Sequence, residues 1–322
     1  MPITIVDIAQ RLNLSHTTVS RVLNNRDSFR IPFSTRERVR QAADEMGYQP
    51  NHAARTLVTG CSNLIGFHLA RLNAPYAAEI AHRLQAIVRT DGYEVLVHEY
   101  LGSDKNLNAV VDGTILLDCI LYPHKPYPSL DSPVPCVAVG ASYLDTVDFV
   151  GVDLEEPSRQ AMRRLLAAGR KRVLYIGGRN EYTDSPDGRY VAYSSSMWES
   201  GNREEILVPC EDSRKEAYGV LSDYLMRGAL PDAIFCRNDE IASGCYRALR
   251  ERGLRIPDDV AVVGCDGIEE TAFYSPPLTT IVMPVEQMCR TGWEFLKRRM
   301  ASRDVEQQRV VIPAHLEIRE SG

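Results

Sequence analysis

The 322-residue sequence has none of the patterns that would mark it as a membrane protein or an enzyme. No apolar run approaches the roughly 18 residues needed to cross a bilayer, and the N-terminus has no signal-peptide pattern. We therefore expect a cytoplasmic protein. No Gly-x-Gly-x-x-Gly follows a strand and no Gly-x-x-x-x-Gly-Lys-Ser/Thr occurs, which argues against nucleotide cofactors. No Gly-x-Ser-x-Gly or comparable nucleophile site is present, so we do not expect an enzyme.

Metal-binding patterns are also absent. The eight cysteines include no pair at two-residue spacing, and the seven histidines include no His-x-x-x-His pair. Most cysteines lie inside apolar stretches, which predicts buried free thiols. His68 and His98 lie at the ends of predicted strands and are expected to be structural. We expect no cofactor and no metal.

The charge is unevenly distributed along the chain. Residues 1–60 contain eight arginines and no lysine against five acids, a formal charge of +3, although the whole chain carries −6. The remainder therefore carries −9. A cationic N-terminal segment on an anionic body suits a protein that holds phosphates with one part only.

The first two predicted helices form a helix-turn-helix pattern. Thr4 can cap the first, with Asp7 completing a capping box, and Val6, Ala9 and Leu12 are expected on its inner side. Residues 13–14 make the turn.

The second helix has one apolar and one polar face. Ser15 can cap it, and Val19, Val22 and Leu23 form its inner stripe. The outer face then carries only hydrogen-bonding groups, namely His16, Thr17, Ser20 and Arg21. Arginine can pair with guanine in the major groove, and residues near the start of a recognition helix reach base edges. The alternative is a solvated face of a small helical bundle.

Two further helices are predicted before residue 60. Ser34 and Glu37 form a capping box for the third helix, which Gly47 ends. A short helix over 52–59 follows, and a helix of two turns is unstable alone. Its Leu57 could pack against a second copy or insert between base steps. The alternative is a plain linker.

Residues 4–9, 15–24 and 48–57 together resemble the headpiece and hinge helix of the lactose-repressor (LacI/GalR) family of bacterial transcription regulators. The resemblance implies double-stranded, pseudo-palindromic operator DNA as the partner. It places His16, Thr17 and Arg21 at base-reading positions and Leu57 at the intercalating hinge position. The connection 25–33 is a few residues longer than is usual in the family. The expected DNA-contacting residues are Thr4, Ser15, His16, Thr17, Thr18, Ser20, Arg21, Asn24, Asn51, Ala53, Ala54, Arg55 and Leu57.

The remaining residues predict an α/β body of two doubly wound parallel sheets, because strand-like apolar runs alternate with helical stretches. Buried strands are predicted at 64–69, 94–97, 114–117, 136–139, 172–176, 206–208, 233–236 and 260–263. Helices are predicted at 76–90, 155–168, 189–199, 214–227 and 240–252. The expected domains are a headpiece at 1–49, a hinge and linker at 50–60, and a core at 61–322.

The body also resembles the family's effector-binding core, which is similar to periplasmic sugar-binding proteins. The resemblance implies two lobes crossed three times, with the helix 285–300 returning to the first lobe. It assigns effector binding to Tyr76, Arg189, Asn238 and Asp266, with Arg189 and Asp266 expected at strand ends. The alternative for each of these is a structural hydrogen-bonding residue, and for Asp239 we expect a helix cap. Asp212 stands where an aromatic ring often stacks, and Met283 replaces a polar amide.

These observations predict a homodimeric transcription regulator, most simply a repressor of carbohydrate-utilisation genes, whose operator affinity a small sugar-like effector changes. The leucine heptads of a tetramer are absent near residues 318–320. One alternative is a regulator that senses a purine or a phosphorylated metabolite. A transported-solute receptor would share the core but not residues 1–59.

Overall fold

The computed structural model forms two compact units, Met1–Ser62 and Asn63–Gly322. It describes residues 3–24, 30–48, 56, 60–99, 111–118, 133–141, 146–178, 187–202, 204–228 and 230–322. The predicted hinge helix 52–59 falls outside the described residues except for Thr56, which is helical. The long connection 25–33 is described only from residue 30 onward.

The first unit contains the three helices predicted for the headpiece: α1 (Ile5–Leu12), α2 (His16–Leu23) and α3 (Phe33–Met46). Their apolar faces meet in a small core in which Ile8, Val19 and Val39 are fully buried. Thr4 and Asp7 form the predicted capping box on α1. The helix-turn-helix geometry is therefore confirmed.

Two local predictions in the headpiece were wrong. Val6 is 52% exposed, because the inner face of α1 is centred on Ile8 and Ala9. Successive helical residues are rotated by about 100°, so the Val6 side chain points away from the centre of this face. Ser34 caps no helix, since α3 begins one residue earlier, after Pro32, and has no side-chain cap.

The second unit is the predicted pair of sheets, each six-stranded. The strands are β1 (Leu64–Leu69), β2 (Glu94–Glu99), β3 (Gly113–Leu117), β4 (Cys136–Gly140), β5 (Asp148–Asp153), β6 (Val173–Gly177), β7 (Ile206–Pro209), β8 (Ala233–Cys236), β9 (Ala261–Asp266), β10 (Thr279–Val282), β11 (Arg309–Pro313) and β12 (His315–Glu317). The helices are α4 (Pro75–Arg89), α5 (Glu155–Ala167), α6 (Gly188–Glu199), α7 (Arg214–Met226), α8 (Asp239–Glu251) and α9 (Val285–Ala301).

Each sheet forms one lobe. The first has the order β11-β5-β4-β3-β1-β2, with every neighbouring pair parallel. The second has the order β12-β10-β9-β8-β6-β7, parallel except for the edge strand β12. The chain crosses between lobes after β5, after β10 and after β11. Three crossings and a two-lobed α/β core were predicted, and both are confirmed.

Helix α9 returns to the first lobe as expected, where it packs on α4 and on strands β3 to β5. A buried ion pair holds it there, since Arg299 donates to both carboxylate oxygens of Asp148 at 2.9 Å. Both residues are at most 3% exposed.

The strand predictions had two kinds of error, missed strands and wrongly expected burial. Strands β10, β11 and β12 were not predicted, and neither was β5, a strand with a glycine at its centre. Strands β2 and β7 were expected to be buried but are half-buried edge strands. Apolar runs marked most of the central parallel strands, which are covered on both faces, but they failed for the interior strands β5 and β10 as well as for the edge strands β11 and β12.

Candidate functional site

The outer face of α2 divides into exposed and internally bonded residues. His16, Thr17 and Arg21 are exposed and form no hydrogen bond with the described residues. Ser15 accepts the backbone N–H of Thr18 at 3.0 Å and caps the helix. Three exposed polar side chains are therefore available to a partner.

The other predicted DNA-contacting residues differ in their surroundings. Asn24 donates through Nδ2 to the carbonyl oxygen of Ser20 at 2.9 Å, so this pair closes the end of α2. Thr4 bonds to Asp7. The five predicted hinge residues lie outside the described residues, namely Asn51, Ala53, Ala54, Arg55 and Leu57.

In the core, the carboxyl ends of the strands from both lobes line a cavity of about 100 Å³. Parallel α/β sheets bind ligands at this edge. Tyr76 and Asp118 reach the cavity from the first lobe, and Arg189, Asn238 and Asp266 from the second. The four residues predicted to bind an effector thus line one cavity.

Arg189 lies in the first turn of α6 and not at a strand end, so that part of the prediction was wrong. Its guanidinium donates to both carboxylate oxygens of Asp187, at 2.8 and 2.6 Å, and to the carbonyl oxygen of Arg237 at 2.8 Å. Burial disfavours ionisation of Asp187, but the adjacent Arg189 cation more than offsets it and holds the pKa of Asp187 well below its usual range.

Asn238 caps a helix and also binds an acid of the cavity. Its Oδ1 accepts the backbone N–H of Ile241 at 2.8 Å and so caps α8, while its Nδ2 donates to Asp212 at 2.8 Å. Asp212 also pairs with Arg237. Asp212 therefore belongs to a hydrogen-bonded ion pair. In the family that the sequence resembles, an aromatic ring often stacks at this position.

Asp239 is not the helix cap that was expected. It is the first residue of α8, fully buried, and accepts hydrogen bonds from the backbone N–H groups of Gly267 and Ile268 and from the Thr280 hydroxyl. It therefore joins the start of α8 to the ends of β9 and β10.

Asp266 ends β9 as predicted and differs from the other acids of the cavity. Its carboxylate has no hydrogen bond to any described side chain or backbone N–H, and its φ of 124° is a strained value for a residue with a Cβ. Burial raises the pKa of Asp266 well above its usual value, and the nearby carboxylate of Asp239 raises it further. Strained, unpartnered polar residues concentrate at functional sites.

One ion pair crosses the cavity from lobe to lobe. Arg71, in the loop after β1, donates to Glu240 on α8 at 3.0 Å. Glu240 is also paired with Arg214 of its own lobe at 3.2 Å.

Five charged groups around the cavity were not predicted from the sequence: Arg71, Asp118, Asp187, Arg237 and Glu240. Asp118 and Arg237 directly follow predicted strands, which was an available signal. The other three lie in loops or on a helix, where the sequence gives no indication of their partners.

The comparisons with known proteins match both units. The model of bacterial regulatory proteins of the lacI family matches residues 4–51, and that of the periplasmic binding protein-like domain matches residues 162–322. The HTH-type transcriptional repressor MelR of Bacillus subtilis is 30% identical, across 99% of this chain and 97% of its own length. This chain belongs to the lacI family.

Other similar proteins agree with this assignment. The ribose operon repressor of Halalkalibacterium halodurans is 30% identical over 99% of this chain and 96% of its own length. The crystal structure of the Lac repressor dimer bound to operator and the anti-inducer ONPF superposes with a TM-score of 0.81 at 25% identity, covering 100% of this chain and 99% of that one. This lacI-family member is a DNA-binding transcription repressor and not an enzyme.

The described helices include none that is both long and apolar enough to span a membrane. The described cysteines are free thiols, buried as predicted except for the exposed Cys61. Cys119 is outside the described residues.

Proposed function

We propose that this repressor responds to a small hydroxylated effector that binds between the lobes of the core. The observation that carries the proposal is the convergence of Tyr76, Arg189, Asn238 and Asp266 on one cavity, with the Asp266 carboxylate unpartnered. Carboxylate, guanidinium, amide and phenol groups together accept from and donate to a polyol. The complex of the regulator CelR with cellobiose, 25% identical with a TM-score of 0.66, supports this ligand class.

The effector would act by changing the balance between lobe arrangements. A ligand shifts such an equilibrium only if it binds one arrangement better, and couplings of about 1–3 kcal/mol are typical. A ligand that touches Tyr76 in one lobe and Asp266 in the other meets this condition, because its contacts depend on the angle between the lobes.

We assign operator reading to α2, with His16, Thr17 and Arg21 at base edges and the remaining predicted headpiece and hinge residues at the backbone or minor groove. We retain the division into headpiece 1–49, hinge 50–60 and core 61–322. We propose a homodimer, in which two headpieces related by two-fold symmetry bind the two half-sites of a pseudo-palindromic operator. Its DNA target places the protein in the cytoplasm.

A thermal-shift screen of the purified protein against sugars, sugar phosphates and purines tests the effector class, because a specific ligand stabilises the fold by mass action. We expect a sugar-like compound to raise the Tm and to change operator affinity in a gel shift. Asp266→Ala should abolish both effects while leaving effector-free operator binding intact. The matched control is Asp223→Ala, an exposed acid on α7 that does not line the cavity.

Stabilisation by a purine or a phosphorylated metabolite instead would replace the effector assignment. Wild-type ligand affinity in Asp266→Ala would place the site elsewhere.

A further inference from the structure

The arginines of the cavity already have anionic partners within the protein. Three guanidinium groups line it, those of Arg71, Arg189 and Arg237. Arg71 is paired with Glu240, Arg189 with Asp187 and Arg237 with Asp212. An anionic ligand would have to compete with these carboxylates for the guanidinium groups, and separating a buried carboxylate such as Asp187 from its arginine costs free energy.

Two further acids line the described part of the cavity. Asp118 and Asp266 lie on its wall beside those three pairs, one from each lobe. Asp118 accepts the backbone N–H of Ala141 at 2.8 Å, whereas Asp266 has no such donor among the described residues. Asp266 is thus the carboxyl group of the cavity wall to which the described residues bring neither a paired cation nor a hydrogen-bond donor.

Tyr76 lines the same cavity as these two acids and lies close enough to both for their charges to act on it. Burial raises the pKa of its hydroxyl well above 10, and the carboxylates of Asp118 and Asp266 raise it further. The hydroxyl therefore stays protonated. It donates a weak hydrogen bond, at 3.9 Å, to the sulfur of Met288. Among the described residues, the region around Asp266 thus offers acceptor oxygens and a neutral phenol, and the three arginines of the cavity are already paired with carboxylates.

We propose that the effector carries a cationic amino group beside its hydroxyl groups, and that this ammonium binds the carboxylate of Asp266. The inference rests on the proposed function, because it specifies the ligand of the same cavity. An ammonium group places a positive charge beside Asp266, which favours the ionised form of this buried acid, and donates the hydrogen bonds that Asp266 does not receive from any described residue. A phosphorylated ligand has the opposite charge and meets no unpaired arginine among the described residues.

Matched sugar pairs test the charge separately from the hydroxyl groups. We would titrate the full-length protein with glucosamine and glucose, galactosamine and galactose, and mannosamine and mannose, using calorimetry. N-acetylglucosamine controls for size, because its amide nitrogen is uncharged. We expect an amino sugar to bind at least about tenfold more tightly than its parent, equivalent to about 1.4 kcal/mol, and acetylation to remove the gain.

Asp266→Asn provides the variant. Asparagine tolerates the positive φ better than most residues, so the fold should survive, which the Tm checks. The preference for the amino sugar should disappear in Asp266→Asn and persist in Asp223→Asn.

The outcomes separate the two proposals. Equal binding of an amino sugar and its parent overturns the cationic effector and leaves the polyol-binding cleft standing. Tighter binding of glucose 6-phosphate or a purine than of any of these sugars overturns both. Failure of every tested sugar to bind also overturns both.

Discussion

The cross-lobe ion pair gives the most direct test of how the lobes are arranged in solution. Arg71→Ala removes the cation that reaches Glu240 from the other lobe, whereas Arg214→Ala removes the cation that reaches the same carboxylate from within the lobe. The two substitutions take the same charge from the same acid. Only the first breaks a link between lobes.

The burial of the two pairs sets their expected strengths. The side chains of Arg71 and Glu240 are 30% and 11% exposed. An exposed ion pair stabilises a protein by about 0.2–1 kcal/mol, and a hydrogen bond to a charged group by about 1.5–3 kcal/mol. The contribution of this partly buried pair should lie between these two ranges. We expect about 1–2 kcal/mol. Arg214 is 49% exposed, so its pair should contribute less than about 1 kcal/mol.

Double-mutant cycles measure these values without any ligand. The unfolding free energies of wild type, Arg71→Ala, Glu240→Gln and the double variant give one coupling energy, and the same set with Arg214→Ala gives the control. Breaking the cross-lobe pair should also weaken effector binding by up to about tenfold, since closure would lose that contact. A coupling below about 0.5 kcal/mol for Arg71–Glu240, or one no larger than the control, would refute the cross-lobe arrangement.

Three further results are expected. Arg21→Ala should cost about 1–3 kcal/mol at sites selected from random DNA and relax specificity at one base pair per half-site; equal losses on unrelated DNA would mean that Arg21 contacts phosphate only. Asp148→Asn leaves the Arg299 cation buried, so urea denaturation should show a loss of about 3–5 kcal/mol, against almost none for the exposed control Asp304→Asn. Burial, together with the nearby His98, lowers the pKa of His68 to about 4. Between pH 6.5 and 4 the unfolded state therefore binds more protons than the folded state, and the free energy of unfolding falls as the pH is lowered through this window. His68→Gln should remove up to about 3 kcal/mol of that pH dependence, and an unchanged profile would contradict the assignment.

The elements that the sequence predicts well are those whose signal is local. Buried strands such as β1 and β8 agree with their apolar runs to the residue, and the capping groups Thr4 and Ser15 act as expected. Edge strands have one solvated side and a weaker apolar signal, which is why β12 was missed. Local patterns determine these elements largely independently of the rest of the chain.

The cavity was predictable in position but not in charge. Asp266 was expected at a strand end, and parallel topology brings such ends together. The pairing of Arg189 with Asp187 and of Asp212 with Arg237 depends on how loops approach one another, which neither residue type nor spacing encodes. Sequence reasoning therefore treated Arg189 as a free donor, whereas most of its capacity is used within the protein.

The remaining hydrogen-bonding capacity limits what the effector can be. Arg189 has five N–H groups, and four of them are directed at Asp187, the carbonyl oxygen of Arg237 and the sulfur of Cys265. Asn238 has one N–H left after its bond to Asp212. Donors to the ligand are therefore few among the described residues, while the ionised form of Asp266 has two oxygens that accept no hydrogen bond from them. Because a buried acceptor without a donor is costly, a ligand rich in donors gains most here. An amino group, with three N–H donors and a positive charge, meets that requirement better than a hydroxyl, which brings one donor and no charge.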